Sequence, residues 1–213
     1  MPTTYRIEPE RSVVALDLSP ARSGIFTPGI ESIVIADAQV ERFNALARLL
    51  DPAMPVLGAD QLAGVARRVL RTAATGGQSP FIASRMRRAA ELRAMLADPA
   101  WTLAAEVALR VTTLLAYIDD PDDLFADDVP VLGQLDDALL VDIALKHLRA
   151  ELEDYAEFCR YRSAETARGG DGGLKRQAWE QARADELRLE QQLRRSRGGA
   201  FAGTSAERLF RVC

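Results

Sequence analysis

The sequence is poor in the residues that most often build metal and redox centres. It has a single histidine, His147, and two cysteines, Cys159 and Cys213. One histidine cannot form the histidine cluster of a zinc or di-iron site, and two distant cysteines do not make a disulfide framework. We therefore expect a reduced, cytoplasmic protein with no cofactor, in which a divalent cation would have to be bound by carboxylates.

Long apolar runs and a surplus of basic residues are also missing. The most apolar stretch, 103–118, is shorter than the roughly 18 residues that cross a bilayer, and it contains Glu106 and Arg110. The first residues lack a basic start followed by an apolar run, so neither a secretory signal nor a transmembrane segment is expected. A formal net charge of -4 argues against a general nucleic-acid binder. Nucleic acid and an anionic membrane surface are therefore the less favoured partners.

The residues that are present have mostly helical periodicity. Residues 12–18 and 30–35 are short runs rich in valine and isoleucine, separated by a turn-rich linker, and they predict two strands or extended segments. Apolar residues then recur at spacings of three and four, which predicts helices over 37–50, 60–75, 79–97, 100–118 and from 136 to 162 or beyond. The predicted fold is mainly α, a bundle of five or six helices with a short N-terminal extended or β arm.

The same patterns divide the chain into three parts. Residues 1–36 form the arm, 37–165 a helical domain, and 172–213 a polar C-terminal helix and tail. The last part is strongly helix-forming but has a thin apolar stripe, made of Leu174, Ala178, Ala182, Leu189 and Leu193. Such a helix is expected to dock by one face, to bind a partner or to form a weak coiled coil.

Residues 117–137, which we call the hinge segment, join two strongly helical stretches and are crowded with aspartates. Asp120 precedes Pro121, and Asp123 follows three residues after Asp120. This is the spacing of a helix capping box, with aspartate in place of the usual glutamate or glutamine. The start of the hinge segment is therefore predicted to be a short capped helix.

The end of the hinge segment contains the signals of a chain reversal. Pro130 and Gly133 are expected to end the short element and to let the chain turn back. Asp136 and Asp137 are then expected to start the long helix, one as its cap and the other in its first turn. Most of the hinge carboxylates therefore have a structural role available.

The hinge segment resembles the motif of the YkvA-like family, a small bacterial domain of unknown function in which two helices are joined by this pattern. The match covers roughly residues 99–148, and Ala126 stands where the family usually has a proline. The resemblance implies a helical hairpin and no established activity. Its residues are Tyr117, Pro121, Asp123, Leu124, Asp127, Pro130, Val131, Leu132, Gly133, Leu135, Asp136 and Asp137.

Four hinge carboxylates, Asp123, Asp127, Asp136 and Asp137, can converge if the turn folds back on itself. Carboxylate oxygens are ligands for magnesium or calcium, although the spacing does not fit an EF-hand loop. Arginines from other helices are the alternative way to neutralise buried acids. A metal-dependent hydrolase or phosphotransferase at these aspartates is therefore one alternative function. No catalytic residue is predicted.

Arginines dominate the middle of the chain and are candidates for anion binding. The sequence favours a solvated face, or pairing with the hinge acids of the same chain or of a neighbouring copy. The alternative is a nucleic-acid accessory protein that uses the 67–93 stretch to contact phosphates. The candidate residues are Arg67, Arg68, Arg71, Arg85, Arg87 and Arg88, with Arg93 close by.

No complete catalytic set is evident in the sequence. His147 is expected to make an ordinary helix-surface pairing with Glu151, four residues later. The leading hypothesis is a non-catalytic helical scaffold or adaptor that mediates protein–protein or self-association. Its expected partner is another protein or a second copy of this chain.

Overall fold

A computed structural model describes residues 13–17, 32–72, 79–121, 124–125, 129, 131–170 and 172–202. Within these ranges, side chains are described for residues 35–70 and 79–197. This part of the chain is mainly helical and contains six helices, which confirms the predicted fold class. In chain order the elements are β1 Val13–Asp17, β2 Ser32–Ala36, α1 Asp37–Leu50, α2 Ala59–Thr72, α3 Pro80–Ala97, α4 Ala105–Ile118, α5 Leu135–Ala167 and α6 Arg176–Ala202.

The two N-terminal strands pair antiparallel, with Val13 opposite Ala36 at one end of the ladder. Strand β2 continues into α1 without a loop. At this junction the Gln39 side chain accepts a hydrogen bond of 3.0 Å from the backbone N–H of Ala36. Asp37 is the first residue of the helix. The backbone N–H of Ala36, just before the helix, is therefore hydrogen-bonded by a side chain from the first turn of α1.

The predicted starts of α3 and α4 have different outcomes. Helix α3 begins at Pro80, one residue after the predicted start, and the buried Ser79 hydroxyl at its N-cap position makes no capping hydrogen bond. Helix α4 begins at Ala105, and the predicted start near Ala100 is wrong. The reason is that the Ala100 carbonyl accepts a hydrogen bond of 2.9 Å from the backbone N–H of Arg176 instead of an intrahelical one.

The chain forms two compact units. The first comprises Met1–Pro99 and Leu103–Asp154, and the second comprises Ala100–Thr102 and Tyr155–Cys213. Helix α5 contributes its residues up to Asp154 to the first unit and the remainder to the second. The core of the first unit is aliphatic and aromatic, and includes Phe43, Leu50, Leu62, Ile82, Leu92, Met95, Leu114, Leu140 and Val141.

The second unit is built around four aromatic rings. The Trp101 ring centroid lies 5.6 Å from that of Tyr155, 5.1 Å from that of Phe158 and 5.5 Å from that of Trp179. The Arg176 guanidinium lies 4.2 Å from the Trp101 ring centroid, a cation–π contact. These edge-on and tilted contacts fix the first turn of α6 within the unit.

The predicted apolar stripe of the C-terminal helix is only partly buried within this chain. Leu189 and Leu193 are 57% and 50% exposed, and Ala178 is exposed as well. The buried anchor of α6 is Trp179, which the sequence pattern overlooked. One buried indole covers more apolar area than several alanines, so it decides which part of this polar helix is packed. In the described part of the chain, no helix is long and apolar enough to span a membrane.

Candidate functional site

The hinge segment is held by one buried carboxylate. Asp136 is fully buried, with 0% of its surface exposed. Its Oδ2 accepts hydrogen bonds of 2.8 Å from the Tyr117 hydroxyl and 2.9 Å from the backbone N–H of Leu124. Burial raises the pKa of the Asp136 carboxyl, and the hydrogen bonds from Tyr117 and Leu124 oppose that rise.

The expectation that Asp136 caps the long helix is wrong. Helix α5 begins at Leu135, so Asp136 is its second residue. The carboxylate points inward because two donors, one from the end of α4 and one from the hinge segment, meet it there. Asp136 therefore connects α4, the hinge segment and α5 at a single point. Asp137 lies in the first turn of α5, as expected, and is buried.

Apolar residues of the hinge segment complete this anchor. Leu124, Phe125 and Leu132 are all buried in the core of the first unit. The Tyr117 hydroxyl and the Leu124 N–H both donate to Asp136, so three positions of the predicted motif meet at one carboxylate oxygen. The sequence contained this signal as a fixed spacing, but spacing alone did not reveal that the tyrosine hydroxyl and the aspartate are partners.

The carboxylates proposed for a cation are only partly described. Asp136 and Asp137 are buried, whereas Asp123 and Asp127 lie outside the described residues. Among the residues that the structure describes, no group of three or more histidine, cysteine, aspartate or glutamate side chains is placed to hold a metal ion. The metal site at the hinge segment stays a prediction.

The chain reverses before α5 in a turn that contains Gly133, but the residue with the unusual backbone conformation is Val131. Gly133 lies in the turn, and its N–H donates a hydrogen bond of 2.9 Å to the Val129 carbonyl. The left-handed backbone is at Val131, with a φ of 70°. A β-branched residue disfavours this region, so the surrounding contacts, including buried Leu132, must hold it there. Pro130 lies outside the described residues, and Pro121 is exposed at a bend.

Exposed aspartates at the start of the hinge segment pair with arginines of the same chain. Arg42 donates to Asp120 at 2.7 Å and lies 4.9 Å over the Tyr117 ring. Arg93 makes a two-pronged pair with Asp119, at 2.9 and 2.7 Å, and this hydrogen bonding holds the pKa of Asp119 below its ordinary value. The sequence predicted that hinge acids neutralise arginines of the same chain, and the pair of Asp119 with Arg93 is of this kind.

The other arginines of the 67–93 stretch lie on α2 and α3. Arg67 and Arg68 lie on α2 and each interacts with another residue, and the side chain of Arg71 is outside the described residues. Arg87 is exposed on α3. Arg85 pairs with Asp142 at 2.6 Å and Arg88 with Glu91 at 2.6 Å.

His147 lies against the loop that follows α1. Its Nε2 is 3.5 Å from Oδ1 of Asp51, which corrects the expected pairing with Glu151. Asp51 also accepts a hydrogen bond of 3.1 Å from the Ala53 N–H and one of 3.2 Å from Lys146. The Ala53 hydrogen bond, followed by Lys146, holds the pKa of the Asp51 carboxyl below its ordinary value of 3.8.

This arrangement makes the contribution of Asp51 to stability depend on pH. Because its pKa is lower in the folded than in the unfolded chain, its contribution is present above pH 3.8 and is lost as pH falls through the lowered value. We expect Asp51→Asn to lower the melting temperature at pH 7, and the gap to wild type to narrow progressively as the pH is lowered below 3.8. Thermal unfolding over a pH series measures this, with the exposed Glu41→Gln as control. Equal melting temperatures at pH 7 would contradict it.

A groove runs between α5 and α6 in the second unit, with a volume of about 570 Å³. Arg183 forms an ion pair of 3.2 Å with Glu157 at its rim and lies 5.2 Å over the Trp179 ring. The lining residues are Glu157, Arg160, Tyr161, Ala164, Trp179, Ala182, Arg183 and Glu186. Beyond the groove, every residue of α6 from 185 to 197 is exposed.

Comparison with known proteins adds no relative to this description. No family model, no curated protein and no solved structure matches the chain. The chemistry of the candidate site therefore has to be argued from its own residues. Two features stand out among them, the anchored hinge segment of the first unit and the exposed length of α6 in the second.

Proposed function

We propose that the protein is a non-catalytic helical scaffold or adaptor that associates with a second copy of itself, or with another protein, through α6. The observation that carries the proposal is the exposure of residues 185–197. Three leucines in this stretch, Leu187, Leu189 and Leu193, are 53%, 57% and 50% exposed. A helical segment of about 12–15 residues is marginal in water on its own and gains most of its stability from packing an apolar face.

Leu189 and Leu193 lie on the same face of α6 as residues that are packed within the second unit. Trp179, Ala182, Glu186, Leu189 and Leu193 recur at alternating spacings of three and four, the periodicity of a coiled-coil seam. The first two residues are buried and half-buried in the second unit, and the last two are exposed. A helix laid along the exposed half would extend packing that already exists.

A second copy of α6 fits this face in antiparallel orientation. With the helices centred between Leu187 and Arg188, Leu193 of one copy lies opposite Ala182 of the other, and the same pair is repeated by symmetry. The small residue leaves room for the larger one. This match of sizes favours self-association over an arbitrary partner.

The hinge segment supports the non-catalytic part of the proposal. Its resemblance to the YkvA-like family implies a helical hairpin, and we propose that the hairpin is the rigid platform of the scaffold. The Tyr117 hydroxyl and the Leu124 N–H both donate to Asp136 inside the first unit. Groups that bind each other in the interior are less available for reaction with a substrate.

Sedimentation velocity over a concentration series tests the self-association. We expect the wild-type mass to rise above the 23.3 kDa of one chain as concentration increases. The double variant Leu189→Asp/Leu193→Asp is expected to weaken association about 100-fold or more, because each new carboxylate would be buried in an apolar contact without a partner. Leu109→Asp is the matched control, since Leu109 is 59% exposed but lies on α4.

Two outcomes would contradict the proposal at different levels. A loss of association in Leu109→Asp equal to that in the α6 variant would show that α6 is not the contact surface. A wild-type chain that stays monomeric at every concentration and shows turnover in an activity screen would reject the scaffold itself. Circular dichroism of each variant verifies that the helices are intact before the masses are compared.

A further inference from the structure

Three arginines line one small pocket of the first unit, between α3 and α5. Its volume is about 250 Å³. Two buried leucines, Leu145 and Leu152, form the apolar part of the wall. The full lining is Ser84, Arg85, Arg88, Leu145, Arg149, Leu152 and Glu153. Three positive charges against one negative charge make the lining cationic.

Arg85 is fixed in place by its neighbours. Its Nε and Nη2 both donate to Oδ1 of Asp142, at 2.8 and 2.6 Å. Its guanidinium lies 4.8 Å over the Phe81 ring, and its Nη1 is 3.4 Å from the Ser84 hydroxyl. Arg85 is therefore held beside Ser84 in the pocket wall and needs little reorganisation to donate to an acceptor placed there.

The other two arginines are able to turn toward such an acceptor. Arg88 pairs with Glu91 at 2.6 Å, but both side chains are about half exposed, and a pair of this kind contributes little free energy. Arg149 is exposed on α5 and makes no ion pair with any residue that the structure describes. Exchanging the Arg88–Glu91 pair for a bound dianion costs little and adds a charge-assisted contact.

We propose that this pocket binds the phosphate group of a small phosphomonoester. The guanidinium fork matches the oxygens of a phosphate, the Ser84 hydroxyl adds a donor, and Leu145 and Leu152 can contact a small apolar substituent. The volume lies just below the roughly 300–1,000 Å³ of pockets for drug-sized ligands, so the ligand is compact. This site is independent of the association proposed for α6.

Nearby acids disfavour an extended polyanion at the same place. Glu153 lies in the lining itself, and Asp142 and Glu91 are bonded to two of its arginines. A nucleic-acid strand that crosses this surface would bring several phosphates close to these carboxylates, whereas one phosphate in the pocket would meet mainly guanidinium groups. The arginine-rich stretch is accordingly assigned to a single phosphate.

Isothermal titration calorimetry with inorganic phosphate and with phenyl phosphate tests the site on the full chain. We expect saturable one-site binding of both, tighter for phenyl phosphate. Arg149→Gln and Arg88→Gln are each expected to weaken binding about tenfold or more, the effect of losing one charge-assisted hydrogen bond. The control is Arg87→Gln, which removes the same charge next to Arg88 on α3 but outside the lining, and should change affinity by less than about twofold.

Several results would overturn the assignment. Binding that does not saturate, or equal weakening by Arg87→Gln and Arg149→Gln, would show a diffuse charge effect. Tighter binding of a single-stranded oligonucleotide than of phenyl phosphate, with a steep salt dependence, would move the arginines to nucleic-acid contact. Binding to phosphatidic acid vesicles without any binding of phenyl phosphate would move them to a lipid headgroup.

Discussion

Trp101→Ala is expected to lower the free energy of unfolding by about 3–5 kcal/mol, the range for a buried large aromatic truncated to alanine. Trp101 is 2% exposed, and its ring contacts Tyr155, Phe158 and Trp179 at centroid distances between 5.1 and 5.6 Å. Truncation leaves a cavity among the three remaining rings. Urea unfolding followed by far-ultraviolet circular dichroism measures the loss.

The position of this loss is as informative as its size. Hydrogen exchange in the first turns of α6, residues 176–184, should accelerate because Trp179 and Arg176 lose their contacts with Trp101. Trp101→Phe is the matched control and should lose clearly less, since it keeps a ring in the cluster. A loss below about 1 kcal/mol in Trp101→Ala would contradict a central role for this residue.

Asp136→Ala is expected to lower the free energy of unfolding by about 2–4 kcal/mol. The substitution leaves the Tyr117 hydroxyl and the Leu124 N–H without their acceptor in a fully buried place. A buried donor that loses its partner costs the full desolvation of the group, about 1–3 kcal/mol each. Asp136→Asn is the control, because its amide oxygen can accept both hydrogen bonds, and its loss should be much smaller. Equal losses in the two variants would show that the acceptor is not what matters.

The pH dependence around Asp136 has the opposite sign to that around Asp51. The folded state raises the pKa of Asp136 above its ordinary value of 3.8, so the folded chain binds the proton more tightly than the unfolded chain does. The ionised carboxylate therefore weakens the fold as pH rises from 3.8 through the raised value. Asp136→Asn should remove this decline, and unfolding of both proteins across that pH range measures it.

Local patterns in the sequence were sufficient to predict the helices and most of the residues at which they begin and end. Helix α1 spans the predicted residues 37–50, and α3 begins at Pro80 after Ser79. Both signals act within one or two turns of helix, through apolar spacing and through the fixed backbone angle of proline. The two N-terminal strands followed in the same way from short runs of β-branched residues between turn residues.

These local patterns could not predict contacts between residues that are far apart in the sequence. The start of α4 moved to Ala105 because the Ala100 carbonyl bonds to Arg176, which is 76 residues later in the chain. Trp179 is an isolated aromatic in a polar helix as far as the sequence shows, and the fold places the rings of Trp101 and Phe158 against it. The pocket of Arg85, Arg88 and Arg149 likewise unites two helices that are far apart in sequence.

Residue types and spacings determined that this chain is mainly helical, that its hinge segment reverses the chain, and that its last helix is polar. The tertiary structure alone decided that Asp136 is buried and what it binds. The physical reason is that periodicity records which face of an element is apolar but not what that face meets. Only the folded chain brings the Tyr117 hydroxyl and the Leu124 N–H to the same oxygen of Asp136.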